Sequence, residues 1–335
     1  MANLGPISTR VGAEDRWQNA QIAFVDGEQG PPIQLLKRGV ASYLDLHVNG
    51  TLSYTQPAGA TAVTGNGLFP WGLARQWQTD VGANTKFNQN IGGYDLYCVE
   101  SYLHPAYTPT YTAPLPPANS GGSPASGTLT WDWRQRLPIS VSENDLTGMI
   151  LLGRQDAETV VQAYWRSVAS LLNLGTGASA TFTGAVNLTV YGYQIGQLKP
   201  ADLALAHVLQ AVPVNLPTTT SYDYQLLLNR QIIRIFFIPY VNGIPDTTGQ
   251  VSLESMNLQI GDARPVSISA SELQFANKLH ARGSVPPGVL VLDRSRNAPT
   301  QYLNLNNVNQ AFVNMLFNSA CPSGASYNVV YQYLR

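Results

Sequence analysis

Gly127-Thr128-Leu129-Thr130-Trp131-Asp132-Trp133-Arg134-Gln135-Arg136-Leu137-Pro138 alternates along its length. Leu129, Trp131, Trp133 and Leu137 share one side; Thr130, Asp132, Arg134 and Arg136 share the other. A period of two is the pattern of a strand with one buried face, and the paired tryptophans mark that face as inward. After Pro138 and Ile139 comes Ser142-Glu143-Asn144-Asp145. A serine followed three residues later by an acid is a capping box, so the spacing predicts a helix start there. Leu146, Met149 and Ile150 would share one helical face, with Gly148 and Gly153 keeping the helix short. From Glu158 the strand pattern resumes through Thr159, Val160, Val161, Ala163 and Tyr164. The unit reads strand, capped helix, strand.

The same order recurs downstream. Ser269-Ala270-Ser271-Glu272 is a second capping box, 127 residues after the first by subtraction of 142 from 269. Leu273, Ala276 and Leu279 are expected on one helical face, Gly283 and Pro286-Pro287 end the helix, and Gly288 to Leu292 reads as a strand. Between and before these units the chain reads as strands. Leu44, Leu46, Val48 and Leu52 oppose Asp45, His47 and Asn49, with Asn49-Gly50 a place for a turn or bulge. Phe69, Trp71, Leu73 and Trp77 form an aromatic segment, and residues 94 to 103 read as a further strand. Strands are also expected at Val186 to Val190, Val208 to Val214 and Ile232 to Ile238, with a turn at Asn242-Gly243. Pro105 to Ser126 has no apolar period and reads as a long surface loop. Residues 1–30 form an arm in which Ala13, Trp17, Ala20 and Phe24 fall on one helical face. That helix either packs on its own sandwich or, through Arg10, Arg16 and Trp17, meets a neighbouring subunit or a membrane. The expected organisation is the arm at 1–30, one β-sandwich at 31–196 and a second at 197–335, with the boundary at Gln197 to Asp202.

Composition narrows the function classes. The 335 residues suffice for two cores, yet only 12% are charged, about half the usual share. Lys37, Lys86, Lys199 and Lys278 are the only lysines, a bias suited to surfaces buried against copies of the same chain. A net charge of -1 offers no basic face for nucleic acid. Cys98 and Cys321 are too few for a disulfide framework or zinc site and read as buried small hydrophobes. His47, His104, His207 and His280 are isolated, so no metal or other cofactor is expected. Asp132, Glu143, Asp145 and Glu158 are the acids nearest to a glycosidase-like pair. Helix capping explains Glu143 and Asp145, and a solvent-facing position explains Asp132. No nucleophile elbow or phosphate loop appears, so the chain is read as no enzyme. Its most apolar run, Gln231 to Val241, is interrupted by Arg234 and Pro239 and is short of the about 20 residues a spanning helix needs. With no signal-peptide pattern at the start, synthesis in the cytoplasm is expected.

The run from Trp133 to Leu152, with Leu137-Pro138-Ile139-Ser140-Val141-Ser142-Glu143-Asn144-Asp145-Leu146-Thr147-Gly148 at its centre, resembles the major capsid proteins of tectiviruses. Pro286-Pro287-Gly288-Val289-Leu290-Val291-Leu292-Asp293, followed by Tyr302, Leu303 and Leu305, is a second match, and Leu188-Thr189-Val190-Tyr191 a weaker third. The resemblance implies an all-β fold of two tandem jelly rolls, each with a short helix before a late strand. It also implies a homotrimeric, six-lobed capsomer that builds an icosahedral phage shell over an internal lipid membrane. The implied partners are further copies of the chain, penton or minor capsid proteins and the lipid beneath. The implied location is the virion, with no direct contact to nucleic acid. The competing reading is a β-sandwich that binds a carbohydrate or receptor, with loop aromatics such as Tyr107 and Tyr111 stacking on sugar.

Overall fold

A computed structural model describes residues 14–82, 85–103, 111–141, 147–152, 158–194, 206–280, 285–294 and 302–335. The chain divides into two units, residues 1–97 with 108–204 and residues 98–107 with 205–335.

The first unit holds β1 (Glu14–Ala23), β2 (Ile33–Gln34), β3 (Val40–Gln56), β4 (Thr64–Gly65), β5 (Ala74–Val81) and β6 (Thr85–Ile91). Helix α1 (Gly93–Leu103) follows, its residues from Cys98 onward belonging to the second unit, then β7 (Tyr111–Thr112), β8 (Ala125–Pro138), β9 (Ile150–Leu151), β10 (Thr159–Trp165), β11 (Leu172–Asn173) and β12 (Ser179–Tyr193). One antiparallel sheet runs β1-β12-β3-β8-β7, with β9 also on β3; the facing strands run β6-β5-β10-β2. The opening run is strand β8, and its alternation holds: Trp131, Trp133 and Leu137 are buried while Arg134 is exposed. Aromatic rings join the layers. Trp165 of β10 meets Phe24 at 5.5 Å and donates its Nε1–H to the Ala23 carbonyl at 3.0 Å. Within the first sheet, Trp131 of β8 packs on Phe182 of β12 at 5.3 Å.

The second unit holds β13 (His207–Asn215), β14 (Ser221–Gln225), β15 (Gln231–Val241), β16 (Ile244–Pro245), β17 (Leu253–Ile260), β18 (Val266–Ser269), helix α2 (Ala270–His280), β19 (Leu290–Asp293), β20 (Leu303–Asn304), β21 (Ala311–Phe317) and β22 (Ala325–Leu334). Its strands form β16-β15-β22-β13, with β19 and β20 also on β15, and a facing sheet β14-β21-β17-β18. Met256, Leu258, Val313, Met315, Val329 and Tyr331 fill the space between. The Tyr331 hydroxyl, from one sheet, donates to the Tyr224 hydroxyl of the other at 2.8 Å, so a polar bond crosses the core. Each unit is a jelly-roll sandwich of alternating strands.

Four expectations need correction. The N-terminal helix is strand β1, paired antiparallel with β12. Its register shifts between Trp17 and Asn19, so Gln18 is a bulged extra residue. The bulge changes the parity of the strand and puts both Trp17 and Ile22 inward, five positions apart. That is why the apolar spacing imitated a helix. Residues 94 to 103 are helix α1, not strand. Tyr94, Leu96, Cys98, Val99, Glu100 and Tyr102 are all buried, so no polar stripe advertises a helical period. The first capping box, Ser142 to Asp145, lies outside the described residues, and Ile150, assigned to its helix, is in strand β9 against Ala41. Asn49-Gly50 makes no turn: β3 runs straight through it. Gly50 opposes Gly184, and a Cβ at Gly50 would stand 2.5 Å from the Phe182 ring, so the residue is small to admit that ring. The second capping box forms as read, Ser269 N–H donating to Glu272 at 2.8 Å and Glu272 N–H to Ser269 Oγ at 3.2 Å. The expected boundary at Gln197 to Asp202 lies outside the described residues.

Candidate assembly surface

The solvent side of the β1-β12-β3-β8 sheet gathers several charged side chains of this weakly charged chain. Cross-strand register sets its rows: Asn187, His47 and Arg134 lie side by side, as do Thr189, Asp45 and Arg136. Arg134 donates to Asp45 at 2.9 Å, and His47 Nε2 lies 3.0 Å from the Asp132 carboxylate, which also accepts from Asn49 at 3.0 Å. Partial burial pushes the Asp132 carboxyl up, but the His47 and Asn49 hydrogen bonds outweigh it and hold it below the usual range. A further row is stacked. Tyr43 and Tyr191 lie ring on ring at 4.5 Å, with the Arg16 guanidinium over Tyr191 at 4.3 Å and that of Arg136 over Tyr43 at 4.8 Å. Arg16, Trp17, Asp45, His47, Arg134, Asn187 and Thr189 enclose an open concavity of about 440 Å³.

The two described residues of the expected arm contact differ in exposure. Arg16 is on this exposed face, whereas Trp17 is only 6% exposed. Its indole edge fills a slot where two glycines leave room: a Cβ at Gly39 or Gly192 would stand 3.2 or 2.6 Å from it. Arg10 lies outside the described residues. Sequence periodicity missed this face because its organising contacts run between strands far apart in the chain.

The solvent side of the β14-β21-β17 sheet is built of amides. Asn314 donates to Asp223 at 2.6 Å and Asn257 to Asn314 at 3.3 Å, beside a concavity of about 420 Å³ that Phe312 and Pro265 also line. Neither face presents a nucleophile next to a base. Among the described residues no group of three or more His, Cys, Asp or Glu side chains could hold a metal. His207 is buried, Glu158 is exposed, and His104, Glu143, Asp145 and Tyr107 lie outside the described residues. Tyr111 is 51% exposed with its ring edge-on to Trp71 at 5.5 Å. Cys98 and Cys321 are buried and not joined in a disulfide. No described helix is long and apolar enough to cross a membrane.

Two polar sites hold the second unit from within. Asp293 accepts from Arg234 Nε at 3.0 Å and from the Tyr102 hydroxyl at 2.9 Å, and Arg234 Nη1 donates to Gln332 at 2.7 Å, all in buried positions. Asp246 accepts from the backbone N–H of Thr248, Gly249 and Val251 at 3.1, 3.0 and 2.6 Å and ties down the loop after β16.

No family model matches the sequence, and no curated protein matches it. Solved structures do. The chain is similar to the STIV MCP, with a TM-score of 0.70 at 14% identity over 96% of this chain and 97% of that one. It is similar to a chain in the atomic structure of Sulfolobus turreted icosahedral virus, at 0.68 and 15% over 96% and 90%. It is also similar to the major capsid protein P2 of bacteriophage PM2, at 0.52 and 9% over 95% and 97%. At such identities the likeness is one of fold, and it runs the length of both chains. The fold is the double jelly roll.

Proposed function

We propose that this chain is a major capsid protein of a virus with an internal membrane, and that its function is assembly. The observation that carries the reading is the tandem pair of jelly-roll units superposing over 96% of the chain on a protein described as an MCP. Capsid, virion location and absence of catalysis follow as one reading. Three chains form a capsomer with six jelly-roll lobes, and capsomers tile an icosahedral shell above lipid. Arg10, ahead of β1, and the exposed Arg16, within it, are assigned to contact a neighbour or the membrane. The low charge content supports large self-association surfaces. The purified protein is expected at three times its chain mass of 36.3 kDa in light scattering, stable to dilution, because obligate interfaces bury over about 2,000 Å². A monomer at micromolar concentration overturns the reading.

A further inference from the structure

The amide face of the second unit is ordered in rows. Register sets Asp223, Asn314, Asn257 and Ser267 side by side across β14, β21, β17 and β18. Gln225, Phe312 and Gln259 stand side by side in the next row. A carboxylate only accepts, so Asn314 turns its NH2 group to Asp223, at 2.6 Å, and its carbonyl toward Asn257. Asn257 donates to that carbonyl at 3.3 Å. The acid thus sets the orientation of both amides. Each amide engages one of its two N–H donors in these bonds, which leaves the row with further donors and acceptors facing the concavity. Half-buried Phe312 and exposed Pro265 supply the apolar part of the same wall.

We propose that this concavity binds a neutral carbohydrate. A sugar ring carries hydroxyls around its rim, each both donor and acceptor, and an apolar face of C–H groups. The amide row matches the rim, and the Phe312 ring matches the face. Charge decides against other ligands. The one formal charge lining the concavity is the Asp223 carboxylate, which repels phosphate and sulfate groups and the backbone of a nucleic acid. A single carboxylate is a poor cage for a metal ion, which takes several oxygen ligands. A protein partner needs a desolvated apolar core, and Phe312 and Pro265 alone do not make one. Amides already held in place by Asp223 lower the ordering cost of binding. A site this open is weak singly, and display of many copies on one particle multiplies it. Only that multiplication rests on the capsid reading.

The test uses the full chain on immobilised neutral oligosaccharides of glucose, galactose, mannose and N-acetylglucosamine, with sialylated and sulfated ones as the contrast. Titration calorimetry then follows the best-retained neutral oligosaccharide. The parent is expected to retain neutral oligosaccharides and to pass over the charged ones. Phe312→Leu keeps apolar bulk without the flat ring, and Asn257→Ala removes one amide. Each is expected to melt with the parent and to bind about tenfold more weakly, the size of one lost ring contact or hydrogen bond. Retention of no neutral oligosaccharide, preference for the charged ones, or unchanged binding by both variants overturns the proposal. A parent that binds yet stays monomeric counts against the capsomer alone, because calorimetry reads the site on a single chain.

Discussion

Trp133 and Arg134 are neighbours in sequence with opposite roles. Trp133 is 1% exposed in the first core, and removing a buried tryptophan costs about 3–5 kcal/mol through lost transfer energy and the cavity left behind. The Arg134 side chain is 61% exposed, and its ion pair with Asp45 is worth at most about 1 kcal/mol. Thermal melts should show Trp133→Ala losing the first unit and Arg134→Ala close to the parent. Equal melting of the Trp133→Ala variant and the parent would mean that the inward face is misassigned. Asp246 gives the pH-dependent counterpart. Burial raises its carboxyl, but the hydrogen bonds from Val251, Thr248 and Gln250 outweigh it and leave it below its ordinary value. A depressed carboxylate stabilises the fold above its unfolded pKa of about 3.9, and that contribution is lost as pH falls through the lower folded value. Asp246→Ala leaves backbone donors without their acceptor, at a cost of about 1–3 kcal/mol. The melting difference between parent and variant should be full at pH 6 and shrink toward pH 3; a constant difference would show that the charge is not what matters.

The stretch that contains β7 and runs into the start of β8 illustrates what an element hides in its sequence. Pro105 to Ser126 read as one surface loop because it has no apolar period. In the structure Asn119 ties part of it down, its side chain donating to the carbonyls of Pro57 and Ser123 and its backbone N–H to Ala60. Trp131 Nε1 donates to Pro114 as well. Backbone hydrogen bonds leave no hydrophobic trace. Gly122 is different: a Cβ there would meet nothing within 4 Å. A short tag inserted after Gly122 should leave melting and oligomeric mass unchanged, and loss of the oligomer would place this loop in an interface. Strands with one wet face, β3 and β8 above all, were legible because burial alternates along them. The capping box of α2 was legible because it is a local exchange of bonds. Strand β1 and helix α1 were not, since a bulge shifted the parity of one and burial on all sides erased the period of the other. The charged sheet face was legible only as isolated polar residues, for its pairing depends on register between distant strands.

At the scale of the molecule, the repeated order of strand, capped helix and strand announced two sandwiches, and the structure has two. Its second helix stands where the pattern put it; the first capping box lies outside the described residues. The scarcity of charge bears on assembly as well. At 1 M salt the Debye length falls to about 3 Å, which weakens exposed ion pairs and leaves apolar contact intact. The proposed trimer should accordingly hold its mass in 1 M sodium chloride, and dissociation there would assign its interface to charges instead. Mechanics adds a last consequence. Strand β1 is the outermost of its sheet, and its pairing begins at Glu14 with Tyr193. A pull on the chain ahead of Glu14 opens that ladder one pair at a time. Almost at once it reaches Arg16 on Tyr191 and Trp17 in its glycine slot. That grip sits near the loaded end of the zip, so tension meets a threshold once the first pairs have opened.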